Sequence, residues 1–243
     1  MSLSVAQRLR FMEALAQSGL PLSRLMVGTG SAALPDAIEL TRFAVRAGFA
    51  GALLMPPFYY RPIGEDAVLE WYASLVEAAD LRRPAFYLYN FPKMSGYTFT
   101  AETVGRIRER FPQTCAGLKD SANDRAYEAE LARAFPDLAI FPGSEAQLGF
   151  AKTLGMGGCI SGSVCLWPQL ARAVWEGADE VRLVAQRAGL DGMPFIAAVR
   201  YLTARGERDP SWERGFPPLE PLSVASKALL ESRAEPSRYG KDS

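Results

Sequence analysis

The amino-acid sequence predicts an α/β fold built on a parallel β-sheet. Short apolar segments recur at intervals of about 20 to 35 residues, and a segment with helical periodicity follows each of them. Polar or glycine-rich residues stand directly after these apolar segments, where (β/α)8 barrels place their active sites. A doubly wound sheet produces the same alternation, so periodicity alone leaves both architectures open. The segment 28–30 begins like a dinucleotide-binding GxGxxG motif, but Ala33 replaces its third glycine, which favours the barrel.

Capping residues and hydrophobic periodicity define the individual elements. Ser4 is a residue type that caps helices, and Gly19 ends the helix that follows it. Thr100 is the cap of a later helix, and Gly48 ends another. Helices are predicted over 4–17, 35–47, 65–79, 100–110, 125–134 and 146–154, with only helices after residue 168. Strands are predicted over 25–27, 51–55, 85–89, 115–118, 138–141 and 158–161.

The six predicted strands are two fewer than a (β/α)8 barrel contains. We therefore expect an incomplete barrel portion over 1–165, and the family resemblance carried by the motifs given below implies that the gap is at its N-terminal end. Helices packed on the barrel are expected over 166–231, and a flexible polar tail over 232–243. Because an open parallel sheet exposes its strand edges, upstream residues, a partner chain or a rearrangement would have to cover the gap. Otherwise the chain is a degenerate relative of complete barrels.

Composition excludes several classes of function. The 27 basic and 27 acidic side chains among 243 residues leave no net charge, which gives no footprint for nucleic acid or an anionic membrane. The absence of histidine excludes a Ser-His-Asp triad and the commonest metal ligand. Three cysteines are too few for a disulfide framework or a zinc site. With no signal peptide or spanning segment in the sequence, we expect a cytoplasmic, soluble and metal-free protein.

Two residues at predicted strand ends could carry chemistry. Burial of Lys119 would disfavour its ammonium form and expose a nucleophilic amine, which can form a Schiff base with a ketone. The alternative is a lysine that reaches solvent or pairs with Asp120. Tyr89 could hydrogen-bond a reacting oxygen and relay protons, a role that histidine cannot take in this chain. The alternative for Tyr89 is an amphipathic side chain at the edge of the core.

Three further segments are weaker candidates. Backbone N–H groups of 28–30 and 158–162 could approach a carboxylate, or these glycines could simply form turns. Tyr59 and Tyr60 lie in a proline-rich segment and would form either a lid or an interface contact.

Taken in order, these segments resemble the dihydrodipicolinate synthase / N-acetylneuraminate lyase family, and the resemblance runs from about residue 4 to 222. GLKDS after a strand, with YNFP some thirty residues earlier, is specific as a pair. The motifs that carry the resemblance are Gly28-Thr29-Gly30, Pro57-Phe58-Tyr59-Tyr60-Arg61-Pro62, Tyr89-Asn90-Phe91-Pro92, Gly117-Leu118-Lys119-Asp120-Ser121 and Gly158-Cys159-Ile160-Ser161.

The resemblance implies a (β/α)8 barrel with extra C-terminal helices and a metal-independent, pyruvate-dependent class I aldolase. By this resemblance Lys119 is the Schiff-base lysine and Tyr89 the proton relay. Ile160 would lie against bound pyruvate, with Gly158 and Ser161 beside it in the substrate site. No cofactor is implied beyond the covalent lysine–pyruvate imine. Family members are oligomeric, so a homodimer or homotetramer is implied.

Tyr59 is implied to reach a neighbouring subunit's site, and two positions after the tyrosine motif bear on substrate choice. Met94 replaces the arginine with which synthase members hold the aldehyde's carboxylate, and Ser95 follows it as a candidate substrate contact. Asp120 and Ser121 are also more similar to the lyase and sugar-acid aldolase branches. We therefore expect an aldehyde partner other than aspartate semialdehyde.

Two alternatives stay open at this point. One is dihydrodipicolinate synthesis itself. The other is a catalytically impaired relative with a structural or regulatory role, since the Gly-Thr-Thr-Gly-Glu-like loop that binds the pyruvate carboxylate in the family is not found in this sequence.

Overall fold

A computed structural model describes residues 2–83 and 85–235 and shows an α/β chain with a five-stranded sheet. The strands are β1 (Met26–Gly28), β2 (Gly51–Leu54), β3 (Phe86–Asn90), β4 (Cys115–Asp120) and β5 (Ala139–Pro142). Their order in the sheet is β1-β2-β3-β4-β5, and the pairs from β1 to β4 are parallel. A doubly wound sheet reverses its strand order at a switch point. The sequential order of the described strands therefore favours barrel-type winding.

Helices connect the strands and make up the C-terminal third of the described chain. They are α1 (Val5–Gln17), α2 (Leu34–Ala47), α3 (Glu65–Ala78), α4 (Pro92–Ser95), α5 (Ala101–Arg110), α6 (Arg125–Ala134), α7 (Leu148–Thr153), α8 (Pro168–Glu176), α9 (Val181–Ala188), α10 (Phe195–Glu207) and α11 (Val224–Arg233). Ser4 caps α1 in a reciprocal capping box with Gln7, and Thr100 caps α5, as expected. Among the described helices, none combines the length and apolar character needed to cross a membrane.

The sixth predicted strand, 158–161, is wrong. Gly158 has a φ of +119°, which turns the backbone out of the extended conformation. Ile160 N still donates to Pro142 O at 3.0 Å, so this segment is attached to the last residue of β5 without forming a strand. The strand β4, by contrast, is longer than predicted: it continues two residues past its predicted end and includes Lys119 and Asp120. How a barrel would close beyond the five strands stays a prediction.

The chain divides into two compact units between Phe141 and Pro142, earlier than the boundary predicted between 165 and 166. In the first unit, Met12 of α1 packs with Leu40 and its buried neighbours on α2. In the second unit, α7 contributes Leu148 to the same core as the helices after residue 168. Because α7 shares that core, it groups with the C-terminal helices.

The predicted flexible tail begins too early in the sequence. Residues 232 and 233 belong to α11, Ala234 is buried, and Trp167 Nε1 donates to Glu235 O at 3.3 Å. Packing therefore continues to residue 235. The remainder of the predicted tail, 236–243, lies outside the described residues.

The ring of Tyr87 occupies space that two neighbouring strands leave open. A Cβ atom at Gly117 of β4 would lie 2.7 Å from the Tyr87 ring and even closer to Ala139 O. A Cβ atom at Gly51 of β2 would also overlap the ring. Carbon atoms cannot approach so closely, so the ring and the two glycines are mutually required. This interlock fixes β3 between its neighbours directly below the strand ends.

We predict that Gly117→Ala lowers the free energy of unfolding by about 1 to 3 kcal/mol, the usual cost of overpacking a core. Gly105→Ala is the matched control, because its nearest contact would be Phe135 at 3.6 Å and alanine favours the helix. The control should be neutral or stabilising. Urea denaturation of both variants measures the effect, and equal stability of the two would contradict the interlock.

Candidate active site

Strands β3 and β4 bring Tyr89 and Lys119 together. The two residues are register partners, and since the strands are parallel their side chains project from the same face of the sheet. Lys119 Nζ donates to Tyr89 Oη at 3.2 Å and lies 4.3 Å from the centre of the phenol ring. Phe91 stacks on the same phenol ring, with 5.6 Å between the two ring centres. The amine and the phenol that were candidates at two strand ends therefore lie side by side.

The alternative roles considered for Lys119 are both inconsistent with its position. Its exposed fraction is only 9%, so the side chain does not reach freely into solvent. Asp120, the proposed ion-pair partner, projects from the opposite face because neighbouring side chains alternate along a strand. Within 2–83 and 85–235, no ion pair to Lys119 is formed.

On that opposite face, Asn90 and Asp120 form a buried hydrogen-bonded pair. Asn90 Nδ2 donates to Asp120 Oδ1 at 2.7 Å, and both side chains are almost fully buried. Asp120 also accepts from the backbone N–H groups of Ala122 and Asp124, each at 3.1 Å. Asn90 Oδ1 accepts from Phe99 N at 3.2 Å. The pair thus connects the two strand ends to the loops that follow them.

Glu128 of α6 is buried near this pair, and sequence reasoning did not identify it. No N–H or O–H group of the other described residues donates to its carboxyl oxygens, and its side chain lies against the Asp120 carboxylate. Burial, with the charge of Asp120 as the second cause, raises the pKa of Glu128 to about 8. The carboxyl group is therefore mainly neutral at neutral pH, which avoids a second buried negative charge beside Asp120.

The short helix α4, which follows β3, contains the predicted specificity residues Met94 and Ser95. Met94 is 52% exposed, and its carbonyl accepts from Arg61 Nη2 at 3.0 Å. Ser95 is buried, and its hydroxyl donates to Phe91 O and Tyr97 O and accepts from Tyr97 N. That hydroxyl is engaged within its own turn, and a contact of Ser95 with substrate stays a prediction.

The aromatic segment before α3 is strongly exposed. Tyr59 is 74% exposed, and its ring packs edge-to-face with that of Tyr60, with 5.2 Å between the ring centres. Arg61 Nε donates to Phe58 O at 2.8 Å, so this residue links the aromatic segment to α4. Contact of Tyr59 with a neighbouring subunit stays a prediction.

At the end of β1, one of the backbone N–H groups considered as an anion cradle over 28–30 is already bonded to the neighbouring strand. Thr29 N donates to Leu53 O at 3.0 Å, and the Thr29 hydroxyl is buried and bonded to Thr41. The carbonyls of Gly28 and Gly30 accept from the guanidinium of Arg8, at 2.6 and 3.0 Å. These carbonyls point away from β2, so Arg8 satisfies acceptors on the outer edge of β1. Spacing gave no signal for Arg8, which lies twenty residues earlier.

In the second unit, one of the predicted substrate residues Gly158, Ile160 and Ser161 is bonded to a carboxylate that sequence reasoning missed. Glu145 is fully buried and accepts from the hydroxyls of Ser161 and Ser163, the latter at 2.6 Å. The Ser161 hydroxyl is therefore committed to Glu145, while the backbone of Ile160 is held at β5. Glu145 directly follows the Gly-Ser turn after β5, a position at which the sequence could have indicated it.

The described residues contain no group of three or more His, Cys, Asp or Glu side chains arranged to hold a metal ion.

Comparison with known proteins places these residues in a family context. Residues 2–193 match the model of the dihydrodipicolinate synthetase family. An uncharacterized DapA-like lyase from Chloroflexus aurantiacus is 35% identical, with 96% of this chain and 80% of that protein covered. A 2-dehydro-3-deoxy-D-gluconate/2-dehydro-3-deoxy-phosphogluconate aldolase from Picrophilus torridus is 29% identical, with 71% of this chain and 63% of that protein covered.

A solved structure shows the same similarity in three dimensions. The crystal structure of dihydrodipicolinate synthase from Agrobacterium tumefaciens matches with a TM-score of 0.90 at 27% identity. The match covers 96% of this chain and 81% of that chain. The similarity thus includes nearly every element described above.

We predict that the buried carboxyl of Glu128 makes stability depend on pH. The unfolded carboxyl releases its proton near pH 4.5 and the folded one near pH 8, so the free energy of unfolding falls as pH rises between these values. One such group contributes a slope of up to about 1.4 kcal/mol per pH unit. Glu128→Gln imitates the neutral form and should flatten this dependence, as measured by urea denaturation from pH 5 to 8.

The control is Glu130→Gln on the exposed side of the same helix, which should leave the slope unchanged. Identical slopes for the wild type and Glu128→Gln would show that Glu128 is ionised in the folded state.

Proposed function

The chain belongs to the dihydrodipicolinate synthetase family, and on that basis we propose that it is a pyruvate-dependent lyase or aldolase that uses Lys119 as its Schiff-base residue. The single observation that supports this best is the contact between Lys119 Nζ and Tyr89 Oη at 3.2 Å on one face of β3 and β4. A buried amine beside a phenol provides the nucleophile and the proton relay that this chemistry requires.

In the proposed reaction, the neutral amine of Lys119 attacks the ketone carbon of pyruvate. The carbinolamine that forms loses water and becomes an iminium, which draws electrons from the neighbouring methyl carbon. Loss of a methyl proton gives an enamine, whose carbon attacks the aldehyde carbon and forms the new C–C bond. Hydrolysis of the second iminium releases the 2-oxo acid product and regenerates the amine. Cleavage follows the same steps in reverse.

Tyr89 is positioned to transfer protons in several of these steps. The Tyr89 oxygen lies within hydrogen-bonding distance of the Lys119 nitrogen. From this position the phenol can protonate the hydroxyl group that leaves the carbinolamine, and later the aldehyde oxygen. The chain contains no histidine to take this role. Stacking on Phe91 holds the ring in place, which preserves the distance on which the transfer depends.

The proposed aldehyde partner is a sugar-derived aldehyde rather than aspartate semialdehyde. Met94 has no charge with which to pair a substrate carboxylate, and Arg61, the cation bonded to its carbonyl, lies in another loop. The aldolase from Picrophilus torridus supports this choice, because its name gives a 3-deoxy-2-oxo sugar acid as its substrate. The exposed Tyr59 supports a homo-oligomeric assembly in which that side chain is covered by a second copy.

We predict that borohydride reduction in the presence of pyruvate attaches a stable adduct to Lys119. Intact mass and peptide mapping measure the adduct. Lys119→Ala should lose it completely, while Lys152→Ala, which removes an exposed lysine, should retain it. Tyr89→Phe should slow adduct formation by about 100-fold or more, as expected when a proton relay is removed. A wild-type chain without an adduct on Lys119 would exclude the proposed chemistry.

We predict that Met94→Arg shifts aldehyde preference toward a carboxylated substrate. The ratio of kcat/KM for aspartate semialdehyde to that for glyceraldehyde, each with pyruvate, should rise by about tenfold or more, equivalent to one charged hydrogen bond. Met94→Leu is the control, since it changes shape without adding charge. If the wild-type chain already prefers aspartate semialdehyde, dihydrodipicolinate synthesis becomes the better assignment.

A further inference from the structure

We propose that Asn90 and Asp120 are a positioning pair that holds the amine of Lys119 against the phenol of Tyr89. The pair lies one residue beyond these two side chains on each strand and on the opposite face of the sheet. It would contact neither substrate nor the reacting atoms, and would act only by fixing how β3 and β4 are aligned. The effect of the pair on the chemistry of Lys119 rests on the proposed function, whereas its effect on the register of β3 and β4 does not.

The need for such a pair comes from an irregularity between the two strands. Phe86 pairs with Cys115, but the next residue, Tyr87, pairs with Gly117, so Ala116 is an extra residue on β4. Without that bulge, Tyr89 would face Leu118 and its side chain would no longer meet Lys119. Because a slip of one residue moves every following side chain to the other face, the strand ends require a contact that selects one register.

The Asn90–Asp120 contact can make that selection. The donor and the acceptor face each other at 2.7 Å only when Asn90 lies opposite Asp120, which is the register that also places Tyr89 opposite Lys119. In the unbulged register, Asn90 would lie opposite Lys119 and the carboxylate of Asp120 would lose its amide donor. A backbone bond from Ser121 N to Asn90 O at 2.8 Å extends the same alignment by one residue.

Burial makes this selection strong. Asp120 is fully buried, and its carboxylate accepts from three N–H groups: Asn90 Nδ2 and the amides of Ala122 and Asp124. A buried carboxylate that loses one of three donors is strongly destabilised, because no water replaces it. The two backbone donors lie in the loop after β4, and Phe99 N binds Asn90 in the loop after β3. The register is thus fixed together with both loops.

The test exchanges the two side chains. Asn90→Asp replaces the amide donor with a second carboxylate, which should separate the strand ends. At neutral pH we expect the rate of pyruvate trapping on Lys119 to fall by about 100-fold, as for a displacement of about 1 Å in a catalytic group. Gln113→Glu adds the same charge at an exposed position before β4, away from the strand ends, and should trap at the wild-type rate.

The double variant Asn90→Asp/Asp120→Asn reverses the donor and the acceptor and restores the bond. It should recover trapping to within about fivefold of the wild type, because one backbone donor still lacks its acceptor. A purely structural loss would not be rescued in this way. If Asn90→Asp does not fold, the trapping rate of the double variant is compared with that of Asp120→Asn alone. The double variant should trap faster, since only it keeps a buried carboxylate paired with an amide.

Crystal structures of the variants separate this proposal from the proposed function. The distance between Lys119 Nζ and Tyr89 Oη should increase in Asn90→Asp and return to the wild-type value in the double variant, whether or not pyruvate reacts. Wild-type trapping and an unchanged distance in Asn90→Asp would overturn the positioning role. Absence of trapping in the wild type, with the distance changing as expected, would overturn only the proposed function.

Discussion

The alignment of β3 with β4 is the constraint on which the rest of the site depends. Tyr89 and Lys119 come from strands that are thirty residues apart in sequence, and they meet because they are register partners. The bulge at Ala116 creates this pairing, and the ring of Tyr87 between two glycines holds the strands below it. Side-chain alternation then assigns every residue of both strand ends to one face. A single register thus determines the contents of the site and of the layer behind it.

The same alternation explains how neighbouring residues of opposite charge remain unpaired. Lys119 and Asp120 are adjacent in sequence but project from opposite faces of β4. A carboxylate in contact with a lysine favours the ammonium form, which is not a nucleophile. In this chain the carboxylate of Asp120 is stabilised by N–H donors instead, and Glu128 beside it has its pKa raised to about 8 by burial and by that charge. The negative charge thus lies behind the sheet, away from the amine.

The sequence predicted the local elements and the central pair but not the contacts that hold them. Capping residues and periodicity place the helices because these signals act within a few residues, and strand ends locate Lys119 and Tyr89. The prediction of a strand over 158–161 is wrong because composition does not reveal that Gly158 adopts a positive φ, which ends the extended backbone. The contacts of Arg8 join residues far apart in sequence, so no local pattern indicates them, whereas Glu145 stands at a strand end that could have indicated the residue but not its partner Ser161.

Buried carboxylates in this chain serve mainly to organise its loops. Asp120 holds the loop after β4, and Glu145 holds the hydroxyls of Ser161 and Ser163 within the second unit. In each case an acidic side chain lies at or just after the carboxyl end of a strand and accepts from the chain that continues beyond it. Such bonds fix loops that would otherwise be mobile, and substrate sites of (β/α)8 folds are built from these loops. In the proposed reaction, the carboxylates fix the loops, and the amine and the phenol on β3 and β4 transfer the protons.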